Sequence, residues 1–206
     1  MKELLDRKTI ILELGFPESQ FSKLLEFALS LWSANQQLNL FSRQMPITEF
    51  VDNHIIDCLL GLSQLPTEAK TFADLGSGGG LPGVIYSIAR PEQAFQLFEK
   101  SPRKQEFLSS CHSFANNFEI KSEVSVALVG VDVVTARAFK PLDVILEMTR
   151  GFYQRGGKYY LLKGRKEKID EEFLLAKKKF KDVKMLVEPL KSPVMQVERH
   201  IVKINF

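Results

Sequence analysis

The stretch Phe72-Ala73-Asp74-Leu75-Gly76-Ser77-Gly78-Gly79-Gly80-Leu81-Pro82-Gly83 narrows the possible folds more than any other part of the chain. An apolar run ends in an acid, a glycine loop follows, and an apolar helical segment begins at once. Glycine is needed where the backbone turns sharply or approaches a ligand with no Cβ in between. Between a strand and a helix, such a loop directs free N–H groups and a helix N-terminus at a bound nucleotide. A plain glycine turn would not need strand, acid and helix in the same place. A dinucleotide fingerprint counted from Gly76 requires glycine at position 81, where this chain has Leu81. The other frame, Gly78-Gly80-Gly83, starts two residues late and contains Pro82.

The pattern around this loop sets the architecture. Strands are predicted over 71–75, 94–99, 118–124, 131–136 and 158–163, with helices over 81–90, 102–116, 141–152 and 166–179. Such alternation argues for a parallel, doubly wound α/β sheet. Two last strands, 183–188 and 199–205, have no helix between them, so a closing hairpin brings one antiparallel strand into a seven-stranded sheet. Upstream, 2–14 reads as a short helix closed by Gly15, with Pro17 opening the next. Phe21, Leu24, Leu25, Ala28, Leu31, Trp32 and Asn35 recur at three- and four-residue steps, an amphipathic helix. A third helix follows Pro46 through Phe50, Val51, His54, Ile55, Asp57 and Leu59. The expected organisation is an N-terminal helical cap, 1–65, and a catalytic α/β unit, 66–206.

Composition excludes several classes. With 206 residues, 45% hydrophobic and 26% charged, the chain can bury one sizeable core. No apolar run reaches the roughly 18 residues of a membrane span. Met1-Lys2-Glu3-Leu4-Leu5-Asp6 carries acids and lacks the apolar segment of a signal peptide. Cys58 and Cys111 stand alone, without metal-ligand spacing or a disulfide framework, so no metal and a reducing cytoplasm are expected. Residues 1–60 hold five Lys/Arg against eight Asp/Glu, so the net charge of +3 comes from the remainder. An anionic partner is expected to meet that later part; a well-solvated surface explains the same charge.

Glu99 ends the second predicted strand, 23 residues after Gly76. An acid there accepts hydrogen bonds from ribose hydroxyls and repels a 2′-phosphate. Arg103 and Lys104 open the next helix, where their charge opposes the helix dipole, which a ligand phosphate or partner acids would explain. The fourth strand runs into Thr135-Ala136-Arg137-Ala138-Phe139-Lys140-Pro141-Leu142, placing Arg137, Phe139 and Lys140 at the cleft beyond the strand ends. Pairing with a carboxylate is the alternative for Arg137. Strand five ends similarly in Lys163-Gly164-Arg165-Lys166.

The run Asp74-x-Gly76-x-Gly78-x-Gly80 looks like the first motif of methyltransferases that use S-adenosylmethionine (SAM), and seven strands with one antiparallel resemble their class I, Rossmann-like sheet. The resemblance becomes specific for the ribosomal RNA small-subunit methyltransferase G family. Asn35-x3-Asn39-Leu40 and His54-x2-Asp57 resemble its helical motifs, and Leu81-Pro82-Gly83 is the distinctive end of its SAM loop. Phe107-Leu108, Thr135-Ala136-Arg137-Ala138, Leu162-Lys163-Gly164 and Glu198-Arg199-His200 follow in the family's order, over nearly the whole chain. The resemblance implies SAM as cofactor, with contacts at Asp74, Gly76, Ser77, Gly78, Leu81, Glu99, Val124, Ser125 and Arg137. It implies methylation of N7 of one guanine in 16S rRNA, as free RNA or in the small-subunit particle; a monomer is expected, although the sequence does not give the oligomeric state. Ala34, Phe41 and Cys58 depart from the family pattern, and Glu123-Val124-Ser125 stands where it has Arg-x-Glu.

Guanine N7 carries a lone pair and no proton, so its methylation needs alignment and no general base. That agrees with the lack of a nucleophilic triad. Arg137 is the expected catalytic residue, and Arg103, Lys104, Lys140, Lys163, Arg165 and Arg199 are the expected RNA contacts. His54 and Asp57, one turn apart, are read as a polar pair bracing the cap, with substrate contact as the alternative. A SAM-dependent methyltransferase for a small molecule or protein, an RNA-binding protein with a vestigial loop, and a dehydrogenase are the rival readings.

Overall fold

The computed structural model describes residues 1–206. Seven strands form one sheet: β1 (Thr71–Leu75), β2 (Ala94–Phe98), β3 (Phe118–Lys121), β4 (Val133–Arg137), β5 (Lys158–Lys163), β6 (Leu186–Leu190) and β7 (Arg199–Ile204), in the order β3-β2-β1-β4-β5-β7-β6. All neighbours are parallel except β7, which runs against both β5 and β6. The doubly wound sheet with a closing hairpin is therefore present as expected.

Helices in chain order are α1 (Lys2–Asp6), α2 (Lys8–Glu13), α3 (Phe21–Leu38), α4 (Ile47–Phe50), α5 (Asp57–Leu59), α6 (Gly83–Ala89), α7 (Pro102–Ser110), α8 (Leu142–Met148), α9 (Arg150–Gln154) and α10 (Lys166–Lys179). Two expected helices are each broken in two. Arg7 separates α1 from α2, its guanidinium reaching both oxygens of Asp52 at 2.9 and 3.0 Å. Thr149 separates α8 from α9, its hydroxyl bonded back to the Ile145 carbonyl at 2.8 Å, a bond that competes with helix continuation. Between α4 and α5 the winding loosens to a π segment, Val51–Ile56. The third strand stops at Lys121 rather than 124, and the fourth starts at Val133 because Val131 closes a turn onto Leu128. The sixth strand is shifted to Leu186–Leu190, since Val183 turns back on Phe180. Its Pro189 is tolerated because β6 is an edge strand.

Alternation along the strands feeds two apolar layers. Phe72, Tyr160 and Leu162 point to a cluster of 37 buried residues shared with α3, α6, α7 and the helices around Phe50 and Leu59. Ala73, Leu75, Tyr159 and Leu161 point to a second cluster with α8 and α10. Residues 1–65 thus have no core of their own. The Tyr160 hydroxyl donates to the Gly61 carbonyl at 2.6 Å, and the Tyr86 hydroxyl to the Cys58 carbonyl at 3.1 Å, tying this segment to the sheet.

Candidate active site

The glycine loop leaves β1 with Gly76, Gly78 and Gly80 all at positive φ, the region that favours residues without a Cβ. It is tied to the end of β2, where Gly76 and Ser77 donate to the Phe98 carbonyl at 2.9 and 3.0 Å. Glu99 closes the arrangement, one oxygen accepting from the Gly78 N–H at 3.0 Å and the other from Ser101 N–H at 2.8 Å. A Cβ on Gly78 would meet nothing nearer than the Gly76 carbonyl at 3.8 Å, so the loop presents bare backbone to open space. Bare backbone beside a fixed carboxylate suits an adenosyl ligand. These residues fit SAM.

Asp74, Ser77 and Leu81 lie beneath this surface. The Asp74 carboxylate is buried, accepting from Gly83 N–H and the Thr135 hydroxyl, both at 3.2 Å, while Ser77 Oγ donates to the Asp74 carbonyl. Burial pushes Asp74 up to about 6, against the hydrogen bonds from Ser77, Thr135 and Gly83. A Cβ on Gly83 would stand 2.6 Å from an Asp74 oxygen, which explains glycine at the start of α6. Asp74 and Ser77 therefore shape the loop from inside, and Leu81 belongs to the larger core. Val124, half-buried, and exposed Ser125 follow the end of β3, whose Lys121 carbonyl accepts from Glu99 N–H at 3.0 Å. They begin next to the Glu99 corner.

Beyond the carboxyl ends of β4 and β5 lies a cavity of about 390 Å3 lined by Arg137, Phe139, Lys140, Lys163, Arg199 and His200 among others. Arg199 reaches it because antiparallel β7 starts at this edge, with His200 paired to Lys163. Phe139 belongs to both places. It lines the cavity, and its ring covers Gly76 so closely that a Cβ there would be 2.2 Å from it.

The structure departs from several sequence expectations about the basic residues. Arg137 is not a free donor at the cleft. Its Nη1 donates to Asp57 at 2.8 Å and to the Asn53 carbonyl at 3.3 Å, and its Nη2 to His54 Nδ1 at 3.1 Å, leaving only Nε buried without a partner. Because Arg can only donate, His54 accepts at Nδ1 and carries its proton on Nε2. Burial, and then Arg137, push the His54 imidazole down to about 4, with Asp57 opposing. The pair His54/Asp57 thus converges on one guanidinium, and the two residues do not bond to each other. Lys163 is committed to Glu172 at 2.7 Å and to the Lys140 carbonyl at 2.9 Å, and Arg199 donates through Nε to Asp57. Arg103, Lys140 and Arg165 are exposed and Lys104 is half-buried, all near the same sheet edge.

Glu172 escaped the sequence reading, and His200 entered it only as part of the Glu198-Arg199-His200 motif. Glu172 is the acid on the apolar stripe Ile169-Phe173-Ala176 of α10, and that misplacement was its available signal. Buried His200 donates from Nδ1 to the Gly164 carbonyl at 2.7 Å, since a carbonyl oxygen can only accept. Asn35 is structural: its oxygen accepts from Leu40 and Phe41 N–H at 2.7 and 3.0 Å, turning the chain after Asn39 takes φ 51°.

Comparison with known proteins agrees with this geometry. Ribosomal RNA small subunit methyltransferase G 1 of Bdellovibrio bacteriovorus is 56% identical over 198 residues, covering 96% of this chain and 97% of its own. Ribosomal RNA small subunit methyltransferase G of Escherichia fergusonii is 31% identical, covering 93% of this chain and 92% of its own. Among solved structures, Aeropyrum pernix fibrillarin with natively bound SAM superposes with a TM-score of 0.53 at 15% identity, over 73% of each chain. A putative O-methyltransferase from Klebsiella pneumoniae gives 0.56 at 10% identity, over 86% of this chain and 89% of its own. These two establish the class I SAM-dependent methyltransferase fold. Residues 20–202 match the GidB family, and the chain belongs to the rRNA small subunit methyltransferase G family.

Proposed function

We propose that this enzyme transfers a methyl group from SAM to N7 of a guanine in 16S rRNA. The observation that carries the reading is the shared residue Phe139, whose ring lies on the glycine loop and also walls the basic cavity. Cofactor and base sites are therefore adjacent, separated by one side chain. SAM, when bound, supplies the electrophilic methyl of a sulfonium.

The chain's own residues position and exclude water. Glu99 holds the loop open and offers its carboxylate to ribose hydroxyls. The cavity receives a base taken out of its stack, and Phe139 gives that base an apolar face. Arg137 keeps the wall cationic while its planar fork is fixed by Asp57 and His54. No group is needed to accept a proton, because N7 has none. In this reading Arg103, Lys104 and Arg165 hold phosphates outside the cavity and Lys140 holds one at its rim, and neutralising them should lower the salt slope of RNA binding by about one unit per lost contact.

The deciding experiment incubates labelled SAM with small-subunit rRNA, and with small-subunit particles, from cells lacking this protein, then maps the label. Label at N7 of a single guanine is expected. Incorporation into protein or small molecules alone would overturn the reading.

A further inference from the structure

One carboxylate on the cavity wall holds two guanidiniums. Asp57 gives one oxygen to Arg137 and the other to Arg199, and its side chain is only 6% exposed. The two arginines then differ. Arg137 has both terminal nitrogens engaged by Asp57, Asn53 and His54. Arg199 uses Nε on Asp57 and Nη1 on the Glu198 carbonyl at 3.0 Å, and its Nη2 has no protein acceptor. Its side chain keeps 29% exposure and lines the cavity.

The two carboxylates of the wall each already face a cation. Asp57 is shared between two cations, and one oxygen of Glu172 accepts from both Lys163 and the Leu142 N–H, the latter at 2.9 Å. The His200 imidazole donates from Nδ1 to Gly164, which leaves Nε2 as its acceptor. The wall thus presents a spare N–H donor and uncompensated positive charge. A base edge offering an acceptor is matched at Arg199 Nη2. Guanine shows O6 and N7 there, both acceptors, whereas adenine shows an amino group at position 6.

We propose that Arg199, held by Asp57, selects guanine by donating from Nη2 to O6, which leaves N7 free as nucleophile. The proposal rests on the base-methylation reading above. It assigns Arg199 to base selection instead of phosphate binding and makes Asp57 the residue that positions it.

The test uses small-subunit rRNA assembled by ligation with guanosine, inosine or 2-aminopurine riboside at the mapped target. Inosine keeps O6 and N7; 2-aminopurine keeps N7 and lacks O6. Transfer rates (kcat/KM) are compared for the parent, Arg199→Lys and Arg199→Met. The parent should treat inosine within a few-fold of guanosine and disfavour 2-aminopurine by at least ~10-fold, the scale of one unpaired buried donor. Arg199→Met should lose that preference, its rate on guanosine falling to its rate on 2-aminopurine. Arg199→Lys should restore part of it. Intrinsic differences in N7 reactivity cancel because each ratio is compared between variants. Equal losses on all three substrates, with the parental ratio retained, would overturn the proposal and leave Arg199 a structural ion-pair residue. If the Met variant does not fold, an unchanged ratio in the Lys variant overturns the proposal equally. A parent that methylates none of the three would instead sink the base-methylation reading itself.

Discussion

Replacing Asp57 with asparagine removes one charge from a site where two buried or half-buried cations depend on it. The substitution keeps shape but turns an amide NH2 toward a guanidinium, donor against donor. Arg137 and Asp57 are 14% and 6% exposed, so their pair is nearly desolvated. Breaking such a pair by removing one partner costs about 3–5 kcal/mol, since the other charge stays buried. The Arg199 arm, at 29% exposure, is partly screened and adds little. About 3 kcal/mol is therefore expected, and at ~2–4 °C per kcal/mol for a chain of this size the melting temperature should fall by roughly 6–12 °C. Calorimetry at neutral pH reads this directly. Asp57→Asn combined with Arg137→Met should be less destabilised than the sum of the single variants, because the stranded charge is gone. A melting temperature within about 2 °C of the parent, or strict additivity in the double variant, would refute this account of the cluster.

Gly76→Ala should weaken SAM at least ~10-fold, because φ +71° disfavours any Cβ and this one would enter the Phe139 ring; parental affinity by calorimetry would remove the loop from the cofactor site. Glu99→Ala should cost SAM binding about 1–3 kcal/mol through lost charged hydrogen bonds, and a titration showing equal affinity in a folded variant would count against the ribose role. Acid should act on two buried groups in opposite directions. The His54 pKa is lowered from 6.5 to about 4, so below ~6.5 the unfolded state binds the extra proton and stability is lost as pH falls toward 4. The Asp74 pKa is raised from 3.8 to about 6, so the folded state binds the extra proton between those values and stability is gained as pH falls through 6. The two offset each other between pH 4 and 6. His54→Gln removes only the first, so relative to the parent it should gain up to ~1.4 kcal/mol per pH unit on acidification. Urea unfolding at several pH values showing a constant difference would disprove it.

The strands and the glycine loop were legible because both are local: alternation, β-branched and aromatic content and glycine placement reside in neighbouring residues. The extents of β1, β5 and α10 agree with the reading from sequence. The breaks at Arg7 and Thr149 were not, since each depends on a partner far along the chain or on a side chain bonding backward. The same distinction governs the site. Glu99 is singled out by its spacing from Gly76, and its carboxylate meets the loop at Gly78. A carboxylate partner is an alternative for Arg137 in the sequence, but which acid holds it and Arg199 could not be read, because Asp57 lies 80 residues from one and 142 from the other. Charge alone marked them as available; only the fold shows which donors remain.

The core that residues 1–65 share with the sheet fixes how a substrate can arrive. Lifting these helices would return Phe27, Leu31, Phe50, Ile55 and Leu59 to water together with their partners across the cluster. At about 1.5–3 kcal/mol per large side chain, this handful alone approaches the ~5–15 kcal/mol net stability of a whole domain. These helices accordingly do not serve as a hinged door. Under the proposed function, the conformational work of the encounter falls on the nucleic acid, whose target base leaves its stack for a wall already in place.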